Sequence, residues 1–109
     1  MITGGDDNAI QLCQISITSS ITWRTLASVR DAHTSTVTGV LSWGISEYLS
    51  IGIDQRIRLW RYEDGNLNCV FDGYTFVPDV CGIVDVGVSG EKRRLVVYGT
   101  GIEMLELEA

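Results

Sequence analysis

The stretch that determines the fold is His33–Trp60, HTSTVTGVLSWGISEYLSIGIDQRIRLW. It contains two short apolar runs rich in β-branched residues, Val37–Trp43 and Tyr48–Ile53. Arg56–Tyr62 follows and alternates polar and apolar side chains as RIRLWRY. Runs of this kind, bounded by turn residues, are typical of antiparallel strands. The stretch therefore predicts a three-stranded meander with a histidine before it and a tryptophan in its last strand.

Four polar side chains are spaced in a characteristic way: His33, Ser50, Asp54 and Trp60. Their pattern resembles one blade of a WD-repeat β-propeller, whose blades are four-stranded sheets of about 40–45 residues around a central channel. The resemblance implies that the four form a hydrogen-bonded tetrad, which ties the loop before a blade to its third strand. Half-buried polar groups must each find a partner, and these four can satisfy one another.

The N-terminal stretch repeats the middle one. Residues 1–13, MITGGDDNAIQLC, align with residues 48–60, YLSIGIDQRIRLW, at a constant offset of 47 residues. A common offset across chemically similar positions is evidence of an internal repeat. Thr3 and Asp7 are therefore predicted to form a partial tetrad in an incomplete blade, residues 1–30, which holds its second to fourth strands. The matched positions are Thr3 with Ser50, Asp7 with Asp54, and Cys13 with Trp60.

A complete blade and a degenerate one are predicted next, at residues 31–72 and 73–109. In the degenerate blade Pro78–Asp79 stands where the family has Gly-His, the tight turn Gly99–Gly101 lacks aspartate, and Leu105 takes the place of the tryptophan. The expected fold is all-β: a partial propeller of about two and a half antiparallel blades, the C-terminal fragment of a larger propeller. The degenerate blade is predicted as a loop, a strand, a charged turn and two strands: Gly73–Val77, Asp79–Val88, Ser89–Arg93, Leu95–Gly99 and Ile102–Leu107.

Composition and charge restrict the functional classes. The net charge of −6 argues against an autonomous nucleic-acid binder, which is usually basic. The sequence has no apolar run of about 18 residues that would predict a membrane span. Cys13, Cys69 and Cys81 are widely spaced with no C-x-x-C, which fits reduced thiols better than a disulfide framework. A cytoplasmic location is therefore expected.

Two features go beyond the generic repeat. The tight turn carries Asp-Gln-Arg at residues 54–56, where most repeats have Asp-Gly-Thr, and the last part reads FVPDVCGIVDVGVSGE and YGTGIEMLEL at residues 76–91 and 98–107. Both resemble the C-terminal end of the large WD-repeat family typified by WD repeat-containing protein six. The residues that carry the resemblance are Asp54, Gln55, Arg56, Leu59, Trp60, Val77, Pro78, Asp79, Val80, Gly99, Gly101, Ile102 and Glu103.

The resemblance implies a non-catalytic scaffold subunit that assists 2′-O-ribose methylation at the wobble position of the tRNA anticodon. Members of that family resemble subunits that present tRNA to a methyltransferase, which itself holds S-adenosylmethionine. The implied partners are the methyltransferase subunit, tRNA and the remainder of the propeller chain. No cofactor, metal or membrane is expected. The alternative is a protein–protein interaction propeller without a role in RNA, which the acidic charge supports.

His33, Ser50 and Asp54 are also the residue types of a hydrolase triad. A nucleophilic serine needs an adjacent base and an oxyanion hole, and one common setting is a Gly-x-Ser-x-Gly elbow. Ser50 instead lies in a predicted strand, and the repeat accounts for all three residues, so no catalytic residue is predicted. Asp6–Asp7 and Asp64 are interpreted as turn formers, because no second ligand set is spaced for Ca²⁺ or Zn²⁺.

The basic residues form two small groups, the first of Arg56, Arg58 and Arg61 and the second of Lys92, Arg93 and Arg94. Arg56 and Arg58 share one face of an alternating strand, and the simpler interpretation of that face is solvation. The second group lies on the predicted exposed turn and is the better candidate for contact with RNA phosphate. The candidates for contact with RNA or a partner are Lys92, Arg93, Arg94, Gln55 and Arg56.

Overall fold

The structure, a computed structural model, describes residues 1–5 and 7–108, without the side chains of Ser89 and Glu108. Ten β-strands run through these residues, and no helix is present among them. The described part of the chain thus offers no helix that could cross a membrane. The strands are β1 Ile2–Gly4, β2 Ile10–Ile17, β3 Ile21–Val29, β4 Val37–Gly44, β5 Glu47–Gly52, β6 Arg56–Glu63, β7 Asn66–Tyr74, β8 Gly82–Ser89, β9 Lys92–Tyr98 and β10 Ile102–Glu108.

The strands form three antiparallel sheets in chain order. The first sheet is β1-β2-β3, the middle sheet is β4-β5-β6-β7 and the third sheet is β8-β9-β10. Each strand pairs with the next one along the chain within its sheet, as hairpin connections require. The all-β prediction is confirmed, and three consecutive antiparallel sheets of this size fit a fragment of a β-propeller.

The first and middle sheets share an irregularity of the backbone. The pairing of β2 with β3 shifts register between Leu12 and Cys13, and the pairing of β6 with β7 shifts between Leu59 and Trp60. The two shifts are 47 residues apart, which is the offset of the sequence repeat. A bulge of this kind bends the strand and re-aims its side chains. The internal sequence repeat is therefore accompanied by a repeated irregularity of the backbone.

Two hairpin turns follow from their glycines. Asp64 and Gly65 have φ of 52° and 78°, the two positive values that a type I′ turn between twisted strands requires. In the β8–β9 hairpin, Ser89 pairs with Lys92, and Gly90 has φ of 64°. The turn is therefore only Gly90–Glu91. The predicted charged turn Ser89–Arg93 was wrong, because a two-residue turn starts β9 at Lys92.

The connection from β7 to β8 also differs from its prediction. Tyr74 still pairs with Arg56, so β7 continues past the expected start of the loop at Gly73. The predicted strand from Asp79 was wrong, because β8 begins only at Gly82. Pro78 has no N–H for a ladder, and Asp79 has φ of 50°, outside the strand region.

Two apolar cores hold the sheets together. One core joins the first and middle sheets, and the other joins the middle and third sheets, so the middle sheet is covered on both faces. Burial of apolar surface stabilises the stack by roughly 25 cal/mol per Å². The first core contains Ile10, Leu12, Ala27, Ala32, Val37, Trp60 and Leu67, and the second contains Leu49, Ile51, Ile57, Val77, Val80, Leu95 and Val97.

A single carbonyl closes the turn between β9 and β10. The backbone N–H and the hydroxyl of Thr100 both donate to the carbonyl oxygen of Pro78, at 3.2 and 3.0 Å. Gly99 packs against the backbone of Pro78 and Asp79. A Cβ added at Gly99 would be 2.8 Å from the carbonyl oxygen of Pro78 and 2.5 Å from that of Asp79. The lack of a side chain at Gly99 therefore permits this close approach.

We predict that Gly99→Ala lowers the free energy of unfolding by about 1–3 kcal/mol, because its methyl group would push two backbone carbonyls away. Gly101→Ala is the matched control in the same turn, since an added Cβ there meets no atom within 4 Å. Its effect should stay within about 0.5 kcal/mol. Chemical denaturation of both variants measures the difference, and equal losses would contradict the close approach at Gly99.

Candidate functional site

Four side chains from four segments of the chain meet at the middle sheet. His33 lies in the loop between β3 and β4, Ser50 in β5, Asp54 in the β5–β6 turn and Trp60 in β6. The Nε2 atom of His33 is 2.7 Å from the Ser50 hydroxyl, and its Nδ1 atom is 2.9 Å from Asp54 Oδ1. The Trp60 indole N–H donates to Ser50 Oγ at 2.8 Å.

The hydrogen bonds run in one direction. The carboxylate of Asp54 can only accept, so the imidazole of His33 is assigned the tautomer that carries its proton on Nδ1 and donates it to Asp54. The Nε2 atom then accepts the hydroxyl of Ser50, whose oxygen accepts the indole N–H of Trp60. Each polar group of the four has a partner, which removes the cost of burying it.

Asp54 accepts more than the imidazole proton. The backbone N–H groups of Thr34 and Arg56 donate to its two oxygens, at 3.0 and 3.1 Å. Burial by itself would raise the pKa of Asp54, but the hydrogen bonds from His33, Thr34 and Arg56 outweigh it and lower the pKa below the ordinary 3.8. The carboxylate therefore fixes both the loop before β4 and the turn before β6.

The same three residues have the hydrogen-bond order of a Ser-His-Asp triad, but not its exposure. Ser50 is 0% exposed and His33 is 1% exposed. The hydroxyl oxygen also accepts the indole N–H of Trp60. A nucleophile must reach the substrate carbonyl, and no surface of this hydroxyl is open to one. The arrangement holds elements of the fold together.

The first sheet has part of this arrangement. The N–H of Ala9 donates to Asp7 Oδ1 at 3.3 Å, as the N–H of Arg56 donates to Asp54. Asn8 follows Asp7 with φ of 66°, and Gln55 follows Asp54 with φ of 62°. Asp7 thus closes a turn of the same shape.

Other candidates in the first sheet contribute less. Thr3 lies in β1 opposite Gln11, where its side chain makes no hydrogen bond to the described residues. Asp6, predicted to be a turn former, lies outside the described residues.

In the third sheet the residue placed like His33 is Thr75. The N–H of Thr75 donates to the carbonyl of Gln55 at 2.9 Å, as the N–H of His33 donates to the carbonyl of Asn8 at 3.2 Å. Both side chains are buried. The prediction that Pro78–Asp79 occupies this position was wrong, because β7 is longer than expected and the loop therefore starts at Thr75.

Glu103 does for this loop what Asp54 does for the middle sheet. Its Oε1 atom accepts the hydroxyl of Thr75 at 2.7 Å and the N–H of Phe76 at 3.3 Å. Glu103 was named only among the residues of the family resemblance, and Thr75 was not predicted. No spacing signal pointed to the pair, because a threonine and a glutamate 28 residues apart match no part of the tetrad pattern.

Gln55 also acts inside the fold. Its side-chain amide donates to the carbonyl of Val77 at 3.2 Å, which ties the β5–β6 turn to the loop before β8. Arg56, the next candidate contact residue, donates to the hydroxyl of Tyr74 at 2.9 Å and lies 3.5 Å from Asp72. Both candidates are therefore already engaged within the chain.

Arg93 lies between two sheets and not on an exposed turn. Its guanidinium stacks 4.2 Å from the ring centre of Trp43, donates to the carbonyl of the same residue and pairs with Asp85. Arg93 belongs to strand β9, whose side chains alternate between the two faces of the sheet, so this side chain points to the middle sheet. The predicted placement of Arg93 on an exposed turn was wrong.

Lys92 and Arg94 point to the opposite face of the third sheet. Both pair with Glu106 on the neighbouring strand, at 3.7 and 3.4 Å. They are partly exposed, so these pairs are weak, but their charge is already balanced within the sheet. The three basic residues predicted as one cluster are thus separated by the sheet.

A scan against protein-family models finds no match to this chain, and a comparison with curated proteins finds none either. The class of the protein therefore rests on its own fold and site. Stacked antiparallel sheets, tied at their edges by buried polar groups, fit consecutive blades of a β-propeller.

We predict that Ser50→Ala lowers the free energy of unfolding by about 1–3 kcal/mol, because it leaves the buried Trp60 N–H and His33 Nε2 without partners. Thr3→Ala is the matched control, since it removes a hydroxyl at the repeat-equivalent position. Its cost should stay within about 0.5 kcal/mol. Urea denaturation measures both variants, and a cost for Ser50→Ala no larger than for Thr3→Ala would contradict the role of the tetrad.

The lowered pKa of Asp54 predicts a dependence of stability on pH. The stability that its carboxylate supplies is present above the ordinary pKa of 3.8 and is lost as the pH falls below it toward the pKa of the folded state. Wild type should therefore exceed Asp54→Asn in unfolding free energy near neutral pH, and the difference should shrink below about pH 4. Denaturation curves at stepped pH test this, and a constant difference would refute it.

Proposed function

We propose that the chain is part of a WD-repeat propeller that acts as a non-catalytic scaffold subunit in wobble 2′-O-ribose methylation of tRNA. The observation that supports the WD-repeat type is the hydrogen-bonded chain Trp60–Ser50–His33–Asp54. It joins the residue types at the spacing that the family resemblance implies. Propellers of this class present rigid surfaces to partners, which suits a scaffold.

The non-catalytic part of the proposal draws on burial. Ser50 and His33, which have the residue types of a nucleophile and its base, are both buried. In the proposed complex the methyltransferase partner holds S-adenosylmethionine and performs the reaction. This chain contributes shape and contact surface. We propose that the protein acts in the cytoplasm, where thiols stay reduced, in keeping with its three free cysteines.

The charges favour the methyltransferase over tRNA as the direct partner. Lys92 and Arg94 share Glu106, Arg93 pairs with Asp85, and Arg56 lies beside Asp72. Binding to RNA phosphate needs unpaired cations that displace the counterions of the RNA. A chain of net charge −6 whose cations are already paired offers few such cations. We therefore propose a protein contact as the main one. The second candidate function, a protein-interaction propeller without a role in RNA, is supported by the same charges.

Loss of the gene tests the proposal. We expect inactivation to remove 2′-O-methylribose from the wobble position of the target tRNAs, measured by mass spectrometry of digested tRNA. Base methylations in the same samples serve as the internal control. Unchanged wobble methylation would reject the methylation role and leave the general interaction propeller.

Complementation separates the roles of single residues. The gene with Lys92→Ala should restore methylation fully, since that ammonium group already pairs with Glu106. The gene with Ser50→Ala should also restore it at a temperature where the variant is folded, because the hydroxyl is no nucleophile in the proposal. A loss of methylation with Lys92→Ala, together with weaker tRNA binding, would assign tRNA contact to this surface.

A further inference from the structure

The chain contains two Asp-Gly dipeptides, and the structure places them in different settings. Asp64–Gly65 forms the two-residue turn between β6 and β7, whereas Asp72–Gly73 lies inside β7. In an Asp-Gly dipeptide the backbone nitrogen of the glycine can attack the side-chain carboxyl of the aspartate, because glycine has no side chain to hinder the approach. Both aspartates are exposed, so exposure does not distinguish them. How readily each dipeptide reacts depends on its backbone setting.

The turn leaves the first dipeptide open to this reaction. The N–H of Gly65 donates to no backbone carbonyl of the residues that the structure describes. A Cβ added at Gly65 would meet no atom within 4 Å, so nothing crowds the residue. The side-chain amide of Asn66 donates to the carbonyl oxygen of Asp64 at 3.3 Å, which draws electrons from the peptide bond between Asp64 and Gly65. Opening the turn breaks only the last pair of the ladder, Glu63 with Asn66.

The fold protects the second dipeptide. Gly73 lies opposite Ile57, and Asp72 lies opposite Arg58, in the ladder between β6 and β7. The carboxylate of Asp72 is also 3.5 Å from the guanidinium groups of Arg56 and Arg58. Attack on the carboxyl needs a rotation of the backbone at the aspartate, and here that rotation would break ladder pairs and both ion pairs. The local opening that permits the reaction therefore costs more free energy in the strand than in the turn.

We propose that Asp64–Gly65 is a modification site, at which the aspartate isomerises to isoaspartate without an enzyme or cofactor. The nitrogen of Gly65 attacks Cγ of Asp64 and forms a cyclic imide, while the hydroxyl of the protonated carboxyl leaves with the N–H proton as water. A water molecule then adds to the backbone carbonyl carbon of Asp64 and breaks its bond to the nitrogen, so that the chain runs through Cγ. The water that is released balances the water that is consumed, and the mass of the chain does not change.

The modification acts on the packing of the sheets. Isoaspartate adds one methylene group to the main chain of a turn whose two-residue length matches the twist of its strands. The longer turn disturbs the register of β6 and β7 beside it. The next pair of that ladder is Tyr62 with Leu67, and both residues pack in the first core. Isoaspartate at residue 64 therefore loosens the contact between the first and middle sheets.

Peptide mapping of the aged, folded full-length protein tests the site. Chromatography separates the two isomers of equal mass, and a protein-isoaspartate methyltransferase with labelled methyl donor marks the product. We expect isoaspartate to accumulate at Asp64 at least about fivefold faster than at Asp72, because a turn opens at lower cost than a ladder. In denatured protein the two rates should be similar. Asp64→Glu is the matched control, since it keeps the carboxylate but would have to close a larger ring, and its turn should stay unlabelled.

Urea denaturation before and after ageing tests the structural consequence. The midpoint of wild type should fall in step with the isoaspartate content at residue 64, while that of Asp64→Glu should stay constant. Folded protein that forms no isoaspartate at Asp64, or forms it equally fast at Asp72, would overturn the proposal. A preference for Asp64 that persists in denatured protein would also overturn it, because the sequence and not the fold would then select the site. An unchanged midpoint in modified protein would refute the effect on packing.

Discussion

The interaction on which the rest depends is the burial of one imidazole with both its nitrogens occupied. His33 has Asp54 on one side and Ser50 on the other, and it is almost completely shielded from water. A buried imidazole without these partners would cost the desolvation of two polar atoms. The loop before β4 can therefore adopt only the position in which both are met. In that position Ala32, which precedes His33, and Val37, at the start of β4, pack in the core between the first and middle sheets.

The other sheets meet the same requirement with different side chains. The loop before the third sheet is fixed by the hydroxyl of Thr75 on Glu103, and the amide of Gln55 ties that loop to the middle sheet. What is common to the junctions is geometric: a backbone N–H of the loop donates to the carbonyl of a residue with positive φ in the preceding tight turn. The side chains then supply hydrogen-bond partners for the buried polar atoms, and several combinations of residue types can do this.

This distinction explains what the sequence could predict. The strands of the first two sheets follow from alternation, and the tetrad from the resemblance of its spacing to a WD-repeat blade, because both are local patterns. Contacts between segments far apart in the sequence were missed, such as Thr75 on Glu103 and Arg93 on Trp43. They depend on where a turn ends. A shift of one residue in a hairpin moves each side chain to the other face of the sheet. The turn at Gly90–Glu91 is shorter than predicted, so Arg93 lies in strand β9 and not on an exposed turn.

The repeated unit is best understood as an interface and not as a sheet. The same pairing between two neighbouring strands recurs in all three sheets: Met1 with Cys13, Tyr48 with Trp60 and Leu95 with Leu105. The turn that joins those two strands differs, with Asp54 in the middle sheet and Gly99 in the third. The bulges before Cys13 and Trp60 fall at the same step of their strands. A bulge aims the side chains on either side of it, so its retention preserves the fit between neighbouring sheets. Packing between neighbouring sheets therefore constrains the strands, while the polar groups that close each junction are free to vary.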